Sequence, residues 1–444
     1  MQKLSEICFC DLKKDSESEF VGIRCEKGDN SGVIETSIVF PLGYFKNDDE
    51  LKSQTDDYLR ECVFNLFSVL ADVSLQNEVH WDSNLSGQTC DFAESTFPMV
   101  SYINVIRNFL DFGYLSENEV VYKMGASGRV HWGRTIKTTR PLVDDDGENL
   151  VYLDLVARKV NHNEDCLISL VHKFCVHDAL TKLGFLFGVE PTETPVLDFD
   201  YDLFCNAINS KLAKSYNDRD LHLLADLARI VEYLAEHRTS DGTVANEFYF
   251  GVNKFAPIWE AMVNRIFGTV SYEEKRDKYN PHLKFVPSGD SNPDGVEYQE
   301  AVGSSAEYKR STLRPDTIMI LEGNGSPEYF VLDSKYYKFG ITSNKSHLPG
   351  AESVCKQMAY AEYVEKEMGA DQIYNAFIMP YCADDRAMPF GMKNVGFIYG
   401  DWKNRAMPYH KISCVLLDMK SVMQGYASSK EVQAALARMI KESI

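Results

Sequence analysis

A chain of 444 residues, 44% apolar and 25% charged, is long enough for two or three domains with proper cores and has the composition of a soluble globular protein. Its formal net charge of −20 argues against unaided capture of nucleic acid, which rests on basic contacts to phosphate. The acidity is uneven, since residues 1–250 hold 23 Lys/Arg against 42 Asp/Glu and residues 251–444 hold 23 against 24. Any surface for a polyanion must therefore be a local basic patch or come from a partner. No apolar run approaches a membrane span, and Met1-Gln-Lys-Leu-Ser-Glu lacks the apolar core of a signal peptide. The 11 cysteines show no Cys-x-x-Cys pair and no zinc-type spacing, with Cys8-x-Cys10 the one close pair. They read as buried, reduced thiols, so the expected location is cytoplasmic, with no membrane partner. No Gly-x-x-x-x-Gly-Lys-Ser/Thr occurs, and NTP hydrolysis is left to another protein.

Residues 1–80 mix strand-like runs, Glu19 to Arg24 and Gly32 to Pro41, with a helix predicted over Asp56 to Asp72. Residues 73–98 read as a polar connection. Ser101 to Phe112 is an apolar-periodic helix stopped by Gly113. Glu119 to Met124 and Arg129 to Lys137 read as strands around Gly125-Ala-Ser-Gly128, and a helix followed by a β-hairpin suggests a winged-helix-like unit. From Val120 to Val143 there is no acidic residue, while Lys123, Arg129, Arg134, Lys137 and Arg140 are basic. In so acidic a half, this contrast marks Arg129, Arg134 and Lys137 as contacts for DNA or a partner. The alternative is a solvated hairpin face with Trp132 in the core.

Cys166 to Gly188 and residues 203–238 read as helices, with Leu167, Leu170, Val171, Phe174 and Cys175 forming a buried stripe. His162, His172 and His177 do not share a face at metal-ligand spacing and read as structural or surface residues. Thr239 to Asn246 is the best linker. The predicted architecture is α/β multidomain: an N-terminal α+β region over 1–150 with the winged-helix-like unit, a helical middle over 151–245, and a C-terminal domain over 250–444.

The C-terminal domain carries the chemistry. Thr317 to Glu322 and Glu328 to Tyr337 are apolar runs joined by Gly323-Asn324-Gly325-Ser326, and Asn-Gly tolerates the positive φ of a hairpin turn. With Asn324-Gly325 as the turn, Asp316 faces Asp333, and Lys335 lies two residues on along the same face. Mg²⁺ takes hard oxygens and keeps several waters, so two carboxylates and a phosphate make a sufficient site. A lysine beside it can orient or deprotonate a water. Asp/Glu-x-Lys alone carries no weight: Asp11/Lys13, Glu50/Lys52, Glu273/Lys275, Glu307/Lys309, Asp401/Lys403 and Asp418/Lys420 match it too. Pro293-Asp294-Gly295 reads as a solvated turn. The alternative for Asp316, Asp333 and Lys335 is a surface hairpin with a structural ion pair.

Flanking segments support the hairpin. Lys254 to Phe267 shows a helical apolar stripe with Glu260 at its margin, either reaching inward or an ordinary boundary residue. Residues 270–300 read as a polar, Gly/Asp/Asn-rich insertion. Glu352 to Met368 is a helix whose apolar face includes Gln357, with Tyr360 beside it; a lone satisfied core amide is the alternative for Gln357. Ile373 to Pro380, Val395 to Tyr399 and Ile412 to Leu417 extend the sheet. Val422 to Tyr426 and Ser429 to Ile444 close it as helices, with Ser429 as an N-cap.

Arg314-Pro-Asp316 followed by Asp333-Ser-Lys335 resembles the PD-(D/E)xK nuclease signature, with Asp-Ser-Lys where Glu-x-Lys is commoner. The helix, the hairpin and Gln357-x-x-Tyr360 are similar to the core shared by RecB-type and McrC-type enzymes. Over most of its length the chain resembles the LlaJI-type restriction endonuclease family of McrC-like nuclease subunits. Gly128-Arg-Val-His-Trp132-Gly-Arg-Thr135-Ile136 and the helix Leu167 to Val176 carry that similarity. The resemblance implies an αβββαβ PD-(D/E)xK core and DNA cleavage dependent on Mg²⁺, or Mn²⁺ in its place. Asp316 and Asp333 would hold the metal, Glu260 would be a further ligand, and Lys335 would position or activate the water. Gln357 would support the site and Tyr360 would contact DNA or the partner. It also implies a separate McrB-like AAA+ GTPase. The rivals are a RecB-like exonuclease or recombination nuclease, and a non-cleaving adaptor that stimulates an NTPase.

Overall fold

The computed structural model describes residues 3–11, 20–27, 34–72, 97–125, 128–143, 146, 150–163, 166–237, 247–281, 283–286, 288, 296–297, 299–302, 307–310, 313–323, 325–384 and 387–444. It is a mixed α/β protein in two compact units, residues 96–246 on the one hand and residues 2–95 with 247–444 on the other. The connection at 73–96, the linker at 239–246 and the turn at 293–295 lie outside the described residues.

The N-terminal stretch supplies strands β1 (Cys8–Cys10), β2 (Val21–Lys27) and β3 (Ile34–Phe40) and helix α1 (Asp56–Leu70). Thr55 caps α1 by accepting from the Tyr58 N–H, and Leu59, Val63, Leu66, Phe67 and Leu70 form its buried stripe.

The unit over 96–246 begins with α2 (Met99–Phe112), which stops at Gly113 with φ 74°. Then come β4 (Glu117–Met124), β5 (Arg129–Val130), α3 (Trp132–Thr138) and β6 (Val156–Asn163). Helices α4 (Leu167–Phe187), α5 (Tyr201–Leu212) and α6 (Asp218–Glu236) complete it. The winged-helix-like hairpin is not formed. Strand β6 lies between β4 and β5 and pairs antiparallel with both. Residues 132–137, expected as strand, lie in a helix that His131 caps, its Nδ1 accepting the Arg134 N–H at 3.1 Å. Trp132 is 55% exposed rather than in a core. The expected boundary near 150 also fails, since the β4–β6 pairing spans it.

The second unit resumes with β7 (Phe248–Val252), α7 (Ala256–Phe267) and α8 (Tyr272–Lys278). Strand β7 pairs with β2 in a sheet ordered β1-β3-β2-β7, which is why residues 2–95 belong here. Gly22 faces Gly251 across that pairing. A Cβ on Gly22 would stand 2.2 Å from the Phe250 carbonyl oxygen, and one on Gly251 would stand 2.3 Å from that of Val21. Only glycine permits this approach.

The main sheet is built from β8 (Thr317–Glu322), β9 (Pro327–Ser334), β10 (Ile373–Tyr381), β11 (Lys393–Tyr399) and β12 (Lys411–Asp418), in the order β8-β9-β10-β12-β11. Its three inner strands run parallel and the two outer ones antiparallel. The inner strands are covered on both faces, so Phe330-Val-Leu and Ala376-Phe-Ile-Met read as unbroken apolar runs. Burying each of the larger side chains in these runs stabilises by roughly 1.5–3 kcal/mol. Helix α9 (Ala351–Met368) packs on β9, β10 and β12; α10 (Met419–Gln424) and α11 (Lys430–Ser443) follow the last strand. Ser429 caps α11, accepting from the Val432 N–H at 3.2 Å. The three strands that follow α9 are those expected at 373–380, 395–399 and 412–417, but only two strands of this sheet precede it, in place of the three of an αβββαβ core. The reason is that strands within 284–310 form separate two-stranded ribbons. The stretch read as a polar insertion also contains α8.

Candidate active site

The hairpin pairs Thr317 with Leu332 and Glu322 with Pro327, the register expected from the turn. Asn324 itself lies outside the described residues. Asp316 sits one residue before β8 and Asp333 near the end of β9, so the pairing carries their carboxyls to the same place. They come within hydrogen-bond reach of each other. The Ser334 backbone N–H donates to Asp316 Oδ2 at 2.7 Å. Lys335 extends the edge of β9, its N–H donating to the Ile378 carbonyl at 2.8 Å, and its Nζ lies 2.8 Å from Asp333 Oδ2.

The electrostatics follow from crowding. Burial, and next the charge of Asp333, push the Asp316 carboxyl well above the usual carboxylate range, against the pull of Lys335 and the Ser334 N–H. Burial works against the Lys335 ammonium, but Asp333, Asp316 and Glu260 together outweigh it and hold the lysine charged. Glu260 on α7 is partly exposed, and its charge is felt at Lys335. Among the described residues no three His, Cys, Asp or Glu side chains converge as a metal cage. The two aspartates do fit a hard divalent cation that keeps most of its waters. Two crowded carboxyls otherwise call for a shared proton, and this donor set suits Mg²⁺ better than a soft metal.

Gln357 is fully buried on α9. Its Nε2 donates to the Val331 carbonyl at 2.7 Å and to Asn375 Oδ1 at 3.2 Å, while its Oε1 has no hydrogen-bond partner. It braces the strand that carries Asp333. Tyr360, expected as a contact for DNA or a partner, is 7% exposed and packs with Ile318, Val331 and Val364. Its ring fills the core beside the acids, and the Arg314 backbone N–H meets its hydroxyl. That burial removes it from any interface.

One neighbour was hidden in the sequence. Lys275, in the discounted Glu273-x-Lys275 triplet, is buried on α8 and donates to the Asp316 carbonyl oxygen at 2.6 Å. No local pattern marks it; a lysine only 7% exposed is visible only in three dimensions.

In the other unit Arg129, Arg134 and Lys137 are all exposed. Arg134 stacks over the Tyr122 ring at 3.9 Å. Trp132, Ile136, Leu142 and Val143 are exposed among these bases. Thr135 is buried, and its Oγ1 accepts the Val156 N–H at 3.0 Å, tying α3 to β6.

The end of the hairpin thus carries two crowded carboxyls, one of them ion-paired to a lysine. Comparison with known proteins supplies the family. The model of the LlaJI restriction endonuclease family matches residues 47–424, and the chain belongs to that family. It is 24% identical over 276 residues to the type II restriction enzyme BsuMI component YdjA of Bacillus subtilis (strain 168). That match covers 60% of this chain and 55% of the relative, so the chain spans about half the length of the curated relative it matches. Among solved structures it is similar to a refined half-complex from a tetradecameric assembly of Thermococcus gammatolerans McrB AAA+ hexamers with bound McrC. That likeness has 13% identity and a TM-score of 0.32, covering 96% of this chain and 83% of the other, too low for an argument from shared fold.

Proposed function

We propose that this chain is the nuclease subunit of a restriction system, a metal-dependent endodeoxyribonuclease of the PD-(D/E)xK type that cleaves foreign DNA. The observation that carries this reading is the convergence of Asp316, Asp333 and Lys335 at one end of the hairpin. Asp316 and Asp333 would hold Mg²⁺, or Mn²⁺ in its place. The bound ion would polarise the scissile phosphate and lower the pKa of a bound water. Lys335 orients the attacking water and offsets charge on the phosphorane. Glu260 balances that lysine, and Gln357 fixes the strand beneath Asp333.

The family membership and the absence of a phosphate loop from the sequence support a separate nucleotide-hydrolysing partner, an McrB-like AAA+ GTPase. The acidity of the N-terminal half supports the same division of labour. The test is to incubate the purified chain with circular DNA, Mg²⁺ and each candidate NTPase with its nucleotide. Nicking or linearisation that needs metal and partner is expected. Cleavage confined to linear DNA would favour an exonuclease. Stimulated NTP turnover with intact DNA would favour a non-cleaving adaptor.

A further inference from the structure

The segment from Thr269 to Pro281 runs along the outer edge of β8 and of residues 313–316 just before it, and five hydrogen bonds among the described residues join the two. The Thr269 N–H donates to the Ile318 carbonyl at 3.1 Å, and the Ile320 N–H donates to Thr269 Oγ1 at 2.8 Å. Arg314 Nη2 donates to the Tyr272 hydroxyl at 3.0 Å, and the Leu313 N–H donates to the Pro281 carbonyl at 3.0 Å. The fifth is the bond from Lys275 to the Asp316 carbonyl. Covering an edge strand explains a brace, because an open edge invites wrong pairing. It does not explain a buried lysine.

A buried ammonium loses its hydration, and such groups are normally paired with a carboxylate. Among the described residues Lys275 makes no ion pair, and its hydrogen bond goes to a main-chain oxygen. That oxygen belongs to Asp316, which precedes β8 and so lacks the strand pairing that fixes the residues after it. A methionine would fill the same space without the desolvation cost.

We propose that Lys275 is a positioning residue for Asp316, holding its main chain so that its carboxylate stays opposite Asp333 at the metal position. This rests on the reading of Asp316 and Asp333 as metal ligands. Lys275 does not touch substrate or metal. It works as the outer partners of metal ligands do, by fixing the ligand's orientation before the ion arrives.

The test is the Mn²⁺ concentration that half-saturates the rise in melting temperature of the full chain, measured without DNA. The wild type is compared with Asp316→Asn, Asp333→Asn, Lys275→Met and Tyr272→Phe. The last removes a hydrogen bond from the same brace without touching Asp316. For Lys275→Met the midpoint is expected to rise about 10–100-fold, with the starting melting temperature near wild type. Tyr272→Phe should keep the wild-type midpoint. A wild-type midpoint in Lys275→Met, or an equal rise in Tyr272→Phe, overturns the positioning role while leaving the metal reading in place. A Lys275→Met chain that is unfolded without metal also overturns it, because Lys275 is then a general stabiliser. No metal response in the wild type, or a response kept by both aspartate variants, defeats the metal reading itself.

Discussion

Ser334 donates its backbone N–H to the side chain of Asp316 across the hairpin, so the residue following one carboxylate holds the other in place. The bond needs an acceptor and no charge. Asp316→Asn is therefore expected to keep the hairpin closed while removing repulsion between two crowded carboxyls. Without divalent metal its melting temperature should equal or exceed that of the wild type, and cleavage should fall by on the order of 10²–10³ or more. Asp333→Asn should lose cleavage similarly but melt lower, because Lys335 loses the anion paired with it. Thermal unfolding beside a plasmid-nicking assay separates the two. Equal melting behaviour would place the ion pair outside the stability of the fold.

Gly22 supplies a second prediction, about the joint between the chain's two ends. Gly22→Ala drives a methyl into the Phe250 carbonyl at a φ of +142°, where L side chains are strained. The variant should lose several degrees of melting temperature or fail to accumulate. Gly425→Ala is the control, since nothing lies within 4 Å of its added methyl. Equal behaviour of the two would mean that β2 and β7 do not need their close approach.

What the sequence disclosed depended on how local the determinant was. The register of β8 and β9 was legible because an Asn-Gly turn and two apolar runs fix it within about twenty residues. The β4 and β5 hairpin misled for the opposite reason. Gly125 to Gly128 looks like a hairpin turn, yet the true partner of both strands is β6, more than twenty residues downstream. Lys275 and Tyr360 were missed or misassigned because burial depends on tertiary packing. A lysine in a charged helix and a tyrosine near an apolar stripe look alike whether they end in solvent or in the core. The β2–β7 pairing joins segments more than two hundred residues apart, and a lone Gly22 could not announce it.

His172 makes stability depend on pH in the unit over 96–246. Burial pushes its imidazole down to about 4, and its Nδ1 accepts the Leu115 N–H at 2.9 Å. The unfolded chain takes up that proton near pH 6.5. Between 6.5 and about 4 the unfolded state therefore binds more protons, and stability rises with pH across that window. The contribution is complete above 6.5 and is lost as pH falls toward 4. The whole window amounts to roughly 3 kcal/mol at about 1.4 kcal/mol per pH unit. Urea unfolding at pH 7.5 and pH 5 measures it, and His172→Gln should flatten the difference. An unchanged pH dependence in that variant would assign the effect to other groups.

The basic segment around α3 separates two kinds of partner. Arg129, Arg134 and Lys137 are exposed, but so are Trp132, Ile136, Leu142 and Val143, and Arg134 lies on the Tyr122 ring. DNA backbone contact needs cations and gains little from aliphatic side chains, whereas a protein interface uses an apolar centre with a charged rim. This mixture favours docking on an acidic face of a protein partner. Each phosphate contact contributes about −0.9 to the slope of log K against log salt. A DNA role therefore predicts that Arg134→Ala with Lys137→Ala flattens that slope by up to about 2. Docking predicts an unchanged slope, a slower association rate with the NTPase partner and weaker stimulation of its turnover, since rim charges act mainly on association. Trp132→Ala should then weaken partner binding more than either charge substitution, as buried aromatic anchors dominate such interfaces. If the slope flattens and Trp132→Ala leaves partner binding intact, the segment is a DNA contact and the docking assignment fails.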